Sequence, residues 1–427
     1  MTMTLTVADA FRALFGADAP VRFTAFDGST TGSDDAPWRI DLLSERGLNY
    51  LLTAPGSLGV VRAYLMGDLV VDPLDEADPY EALAFIEDEL SMRRPSVADC
   101  ADLARFVRGH RPRLPELPPQ ETPGQLRRIA RGLQHGRRRD AEAIHHHYDV
   151  SNRFYEMLLG ESMTYTCACY PTQTSTLEEA QYEKYDLVCR KLGLEHGMRL
   201  LDVGCGWGGM VRHAVRHYGV TAVGATLSAE QASWAQARIE SEGLAGRALV
   251  VHSDYRDITE SGFDAISSIG LTEHIGPGNY AAYFAFLHDR LADGGRLLNH
   301  CITRSDNRNP GLPARGFINR YVFPDGGLTG SGDIVRVMED TGFEVRHQEN
   351  LREHYAMTCR DWCRNLAKHW DECVEEVGLG TARVWGLYLA GSSLGFERNK
   401  IQLHQVLASK TSSAGVSGFS LRPTWGS

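Results

Sequence analysis

The chain has no apolar run approaching the ~20 residues that a bilayer-crossing helix needs. Its opening, MTMTLTVADAFRALFG, has no basic segment leading into a small-residue cleavage site. The expectation is a cytoplasmic protein. Cysteine is sparse and unpaired in pattern: nine residues, an odd number, with no C-x-x-C pair, which argues against a disulfide framework or a zinc ribbon. Positive charge is also in deficit, with 44 Lys and Arg against 55 Asp and Glu and a formal net charge of −11, so a general nucleic-acid binder is excluded. No internal repeat occurs, and the only low-complexity piece is the Ser/Gly-rich end SSAGVSGFSLRPTWGS, expected as a flexible tail over 411–427.

The positive charge that exists is concentrated. Residues 104–140 hold ten Arg and three acids, a local excess of +7 that leaves about −18 for the rest. This Arg/Pro stretch reads as a linker over 101–141 between a small mixed domain at 1–100 and a larger one at 142–410. It is either a solvated connector or a contact for an anionic membrane surface, where each basic residue contributes about 1 kcal/mol. Beyond it, from about 185 to 305, helical patterns alternate with the runs MRLLDVG, TAVGATLS, RALVVHSDY, FDAISSIG and RLLNHCIT. Strands alternating with helices predict parallel βαβ units in an α/β, doubly wound sheet.

Such sheets bind ligands at the carboxyl ends of their strands, where RLLDVGCGWGGMVRHAV (199–215) breaks into four glycines within six residues. A P-loop is excluded because GCGWGGMV has no Lys and no hydroxyl for phosphate and magnesium. Gly204, Gly206 and Gly209 have dinucleotide spacing, yet the next strand ends VGATLSAEQ with no acid for a ribose. Asp202, opening the loop, favours S-adenosylmethionine (SAM).

Several ordered segments look like one family. HYDVSNRFYEMLLGESMTYTCACY, LEEAQYEKYDLVCRKLGL, LLDVGCGWGG, SSIGLTEHIGPGNYAAYF, LREHYAMT and IQLHQV resemble the cyclopropane-fatty-acid synthase family, over about 142–408. GSLGVVRAYLMGD extends the likeness weakly into the first domain. The resemblance implies a Rossmann-like class I methyltransferase that alkylates double bonds in unsaturated phospholipid acyl chains. It implies bicarbonate as the base, held by Glu273, His300 and Tyr355 with the main chain of Cys167 and Ile302. It also implies SAM contacts at Tyr165 and Thr166; at Leu200, Asp202, Gly204, Cys205, Gly206 and Gly208; at Thr226, Leu227, Ser228 and Gln231; and at Asp254, Tyr255 and Arg256. His147, in the HYD pattern, would close over the cofactor. The three consecutive histidines 145–147 cannot all face one ion, and Cys359 and Cys363, at helical spacing, read as buried thiols, so no metal is expected.

The chain departs from the family pattern at two places. Ser392 stands where many members carry a Cys once considered a nucleophile. Thr272 replaces a common aromatic beside Glu273, which is expected to widen or wet the pocket. The chain is most similar to the actinobacterial branch that makes mid-chain methylene groups, which implies a reductase partner for the product, peripheral membrane association and a homodimer. Cyclopropane is the close alternative product, and a lipid-binding scaffold with a degenerate methyltransferase domain is the alternative from another class.

Overall fold

The computed structural model describes residues 5–121, 151–308, 316–323 and 327–425. The chain forms two compact units, and the division does not follow sequence order. Residues 313–322 and 378–391 cluster with 1–123, and the remainder forms the second unit.

The first unit contains α1 (Val7–Phe15), β1 (Val21–Ala25), β2 (Thr30–Thr31), β3 (Trp38–Leu42), α2 (Glu45–Thr53), α3 (Ser57–Leu65), β4 (Leu69–Asp72), α4 (Tyr80–Asp88) and α5 (Val97–His110). Its four strands run in the order β2-β1-β3-β4. Alternation along VRFTA turns Val21, Phe23 and Ala25 into a core with Ile40, Leu42, Leu48 and Tyr50. The linker expected from residue 101 therefore begins later. Ser96 and Asp99 form a capping box that starts α5, and Phe106 packs in this core. The rest of that linker from 122 onward, with Arg137, Arg138 and Arg139, lies outside the described residues, as does His147.

The second unit contains α6 (Asn152–Leu159), α7 (Leu177–Leu192), β5 (Arg199–Val203), α8 (Gly209–Tyr218), β6 (Thr221–Thr226), α9 (Ala229–Ser241), β7 (Ala248–His252), β8 (Phe263–Ile269), α10 (Thr272–Ile275), α11 (Tyr280–Arg290) and β9 (Leu291–Arg304). After α12 (Phe317–Tyr321), which belongs to the first unit, come α13 (Ser331–Asp340), β10 (Glu344–Asn350), α14 (Arg352–Lys368), α15 (Trp370–Val377), α16 (Leu379–Glu397), whose residues up to 391 belong to the first unit, and β11 (Ile401–Ser409). The seven strands run β10-β11-β9-β8-β5-β6-β7, with β5 to β9 parallel and β11 antiparallel to both neighbours. This is the doubly wound sheet predicted, with its reversal of strand order between β5 and β8. One core joins Val188, Leu192, Val211, Val215 and Ile239; another joins Tyr283, Phe284, Leu287, Ile334 and Met338.

The tail is docked, contrary to expectation. Phe419 and Trp425 pack on the first of these cores, Arg190 Nε donates to the Trp425 carbonyl (3.0 Å), and Arg296 donates to the Gly418 carbonyl (2.8 Å) while lying over the Phe419 ring. Two aromatics in an otherwise polar segment supply the burial that holds it.

Within the first unit, Glu121 has a fully buried side chain gripped by Arg62 through two 2.6 Å bonds and by the Tyr321 hydroxyl at 3.1 Å. Removing one partner strands the other charge out of water, at a cost of about 3–5 kcal/mol. Glu121→Gln is therefore expected to lower the stability of this unit by that order in urea unfolding. A loss below about 1 kcal/mol would mean that the pair is not holding the unit together.

Candidate active site

The glycine loop begins where β5 ends. Gly204, Gly206 and Gly208 all have positive φ (74°, 53° and 72°), which a side chain would strain. A Cβ on Gly209, where α8 starts, would lie 2.1 Å from the Tyr185 hydroxyl. Two adjoining cavities open beside the loop. One is lined by Gly204, Gly206, Thr226, Leu227, Gln231, Ser253 and Tyr255, and the other by Tyr165, Thr166, Lys184, Asp202, Cys205 and Trp207. Gly204, Gly206, Gln231 and Gly270 line both, so the pair forms one elongated site.

Charge in this site is held out of water. Asp202 is buried and accepts a 2.6 Å bond from the Ser267 hydroxyl; burial pushes its carboxyl up to about 7, against the opposing pull of that bond and of Lys184. Lys184 is equally buried, donates to Thr166 Oγ1 at 3.1 Å and lies 3.7 Å from the centre of the Tyr185 ring; burial brings its ammonium down to about 7. Gln181 donates to the Thr166 carbonyl (2.9 Å), so α7 holds the segment containing Tyr165 and Thr166 at two points.

The other residues named from sequence divide by position. Gln231 Oε1 accepts from the Thr226 hydroxyl (2.8 Å), which turns its amide N–H group toward other acceptors, while Ser228 caps α9. Asp254 and Arg256 form a two-bond ion pair with each other. The Leu200 side chain lies in the hydrophobic core, on the same face of β5 as Asp202 but two residues farther from the carboxyl end where the cavity opens.

A second group lies at the ends of β8 and β9. Glu273, on α10, accepts the Ile302 N–H at 2.7 Å through Oε1, and its Oε2 is buried with no partner. Burial pushes this carboxyl up to about 7. Ile302 thus reaches the site through Glu273. His300, two residues earlier on β9, is fully buried; its Nδ1 meets Gln405 Nε2 at 3.2 Å and its Nε2 has no partner. Burial holds its pKa well below 6.5, so the ring is neutral at pH 7. Cys167 Sγ lies 3.8 Å from the Leu351 carbonyl, which also accepts the N–H of Tyr355 on α14 (3.1 Å). Thr272 is buried and its hydroxyl donates to Asn299 Oδ1 (2.6 Å), so it does not wet a pocket as expected from its replacement of an aromatic.

Residues 135–406 match the family described as mycolic acid cyclopropane synthetase. The chain belongs to that family. It is 58% identical over 407 residues to a probable fatty acid methyltransferase of Mycobacterium tuberculosis, covering 95% of both chains. It is 38% identical to a probable fatty acid methyltransferase of Pseudomonas putida, covering 92% of each. The cyclopropane-fatty-acyl-phospholipid synthase of Escherichia coli is 35% identical over 264 residues, 62% of this chain and 66% of that one. The solved structure of the cyclopropane synthase MmaA2 from Mycobacterium tuberculosis superposes with a TM-score of 0.60 at 34% identity, covering 64% of this chain and 98% of that one. This cyclopropane synthetase family member is accordingly a SAM-dependent methyltransferase with the class I fold.

Sequence reasoning missed a succession of aromatic rings. Rings run in succession from Trp207 to Tyr155 (4.9 Å between centres), Tyr165 (6.0 Å), Trp362 (5.3 Å), Tyr355 (6.1 Å) and Phe396 (4.4 Å). Their contributors come from four separated segments, and no local pattern links them. Lys184 was also missed, although a signal existed: Gln181, Lys184 and Lys191 interrupt the apolar stripe of α7 that buries Leu177, Val188 and Leu192.

The raised Glu273 pKa has a measurable consequence for stability. The folded protein holds this proton up to about 7, whereas the unfolded chain releases it near 4.5. Folding stability therefore declines as pH rises through that window and is steady above it, by up to about 3 kcal/mol at 1.36 kcal/mol per unit. Glu273→Gln should remove this part of the decline, read as a stability difference growing in the variant's favour from pH 4.5 to 7. A difference independent of pH would contradict the burial argument.

Proposed function

We propose that the protein transfers a methyl group from SAM to the mid-chain cis double bond of an oleoyl-type phospholipid acyl chain, and that proton loss from the resulting cation leaves a 10-methylene branch. The observation that carries this reading is the pair of buried, partnerless atoms Glu273 Oε2, on α10 just after β8, and His300 Nε2, on the neighbouring strand β9. Bicarbonate has one O–H for a carboxylate to accept and oxygens for an N–H donor to meet, so these two atoms suit it; the family resemblance adds Tyr355 and the Cys167 main chain. When bound, it would supply the proton acceptor, as SAM would supply the electrophilic methyl. Asp202 is suited to the ammonium of the methionine half and the Gln231 amide to the ribose. One family member has been solved with S-adenosylhomocysteine and CTAB, at 32% identity.

An alkene is a weak nucleophile, so the chain's own residues must position it and exclude water; positioning contributes roughly 7–11 kcal/mol. Tyr165 and Trp207, which line the cavity beside the glycine loop, would stabilise the cation, at about 0.5–2 kcal/mol each. Glu273→Gln should leave SAM affinity within a few-fold while turnover falls by roughly 10²–10⁴. Near-normal turnover would sink the assignment.

The fate of the cation separates two readings. Loss of a proton from the added methyl closes a cyclopropane, whereas a prior hydride shift gives an exocyclic methylene. The relatives matched along nearly their whole length are named probable fatty acid methyltransferases, a name that fits either product; the family description and the Escherichia coli synthase favour cyclopropane. The products are isomers of equal mass, so proton NMR of lipids from an oleoyl-rich host expressing the chain decides. Vinylidene protons are expected, and ring protons without them would replace methylene by cyclopropane. The reading includes a reductase acting on the methylene product and a homodimer.

The Arg-rich stretch supports peripheral attachment to the inner membrane face; no helix among the described residues is long and apolar enough to cross a membrane. Binding to anionic vesicles should weaken between 0.1 M and 1 M salt, as the Debye length falls from about 10 Å to 3 Å. Replacing Arg137, Arg138 and Arg139 with Gln should weaken it further. Binding unchanged in both arms would leave the stretch a plain linker.

A further inference from the structure

Three neighbouring strands set Glu349, Gln405 and His300 in one row: Glu349 of β10 pairs in register with Gln405 of β11, which pairs with His300 of β9. Lys191, from the last turn of α7, reaches this row. Its ammonium is fully buried, donates to Gln405 Oε1 at 2.7 Å and is paired with Glu349.

This wiring assigns protons that coordinates alone leave open. An amide can be flipped end for end without changing its shape. A lysine ammonium only donates, so the Gln405 atom beside it must be the oxygen, and the amide nitrogen must be the atom 3.2 Å from His300 Nδ1. That nitrogen only donates, so Nδ1 must be the accepting, unprotonated nitrogen of the ring. A neutral imidazole then carries its proton on Nε2, the atom buried without a partner. Glu349, partly exposed, favours the ammonium against the burial that lowers the Lys191 pKa, and the ammonium in turn holds the amide in one orientation.

We propose that Lys191, acting through Gln405, locks His300 as the Nε2–H tautomer, so that His300 serves the reaction as a hydrogen-bond donor to the proton-accepting anion and not as the base. Lys191 and Gln405 are positioning residues for this step. The role given to the donor rests on the proposed function above, while the tautomer itself does not.

The test is nitrogen-15 NMR of histidine-labelled protein, with the His300 signals assigned by their loss in His300→Asn. The expected wild-type result is a bare Nδ1 and a protonated Nε2; a protonated Nδ1 would overturn the proposal without recourse to any other variant. Gln405→Glu offers an acceptor in place of the donor and should move a proton to Nδ1. Lys191→Met releases the amide and should give a mixture. Both should lower kcat by about 10- to 100-fold with the SAM dissociation constant within about three-fold. An altered tautomer with unchanged kcat would also overturn the proposal. Failure of the base assignment is seen separately, as near-normal turnover of Glu273→Gln, and leaves the wild-type tautomer result standing.

Discussion

Exclusion of water from the carboxyl end of the parallel sheet is the condition on which the rest of this molecule depends. Asp202, Lys184, Glu273 and His300 all lie there, buried, and burial is the largest influence on each, moving both acids up and both bases down. A charge without a partner in such a place costs several kcal/mol, so the groups rest near neutrality. A site in this condition answers strongly to a charged ligand, because an ammonium or an anion arriving there meets little competing solvent.

The same condition explains why so much hydrogen bonding surrounds so few reactive atoms. Ser267 holds Asp202, the Ile302 N–H holds one oxygen of Glu273, and Gln405 holds one nitrogen of His300. In each case one side of the group is anchored to the sheet. For Glu273 and His300 the opposite polar atom is left without a partner. α7 serves both ends of the site, with Gln181 and Lys184 on the segment at 164–166 and Lys191 on the row behind His300. Burial pushes the thiols of Cys167, Cys205, Cys301 and Cys359 well above the ordinary thiol range, which disfavours their reactive thiolate form.

The glycine loop and the alternation of strands and helices were legible because each depends on residues adjacent in sequence or on motifs short enough to recognise. The Leu200 side chain lies in the core because it stands two residues back from the carboxyl end of β5, a depth that a motif, which marks only a stretch of chain, does not reveal. Thr272 was misread for a related reason. Its size was visible, but the acceptor that takes its hydroxyl away from the pocket, Asn299 Oδ1, lies on β9, distant in sequence. The tail was read as flexible from its Ser and Gly content, yet Phe419 and Trp425 anchor it.

The sequence by itself determined the doubly wound sheet, the glycine turn with Asp202 at its head and the family to which the chain belongs, because periodicity, backbone freedom and local motifs are properties of neighbouring residues. Only the tertiary structure decided that segments 313–322 and 378–391 join the first unit, that six aromatic rings stand in succession, and that Glu349, Gln405 and His300 form a row closed by Lys191. Those outcomes depend on strand register and on packing between distant segments, where a shift of one residue turns a side chain to the other face of the sheet. Burial, which sets the chemistry of the site, is likewise a property of everything packed around a residue and is written at no single position.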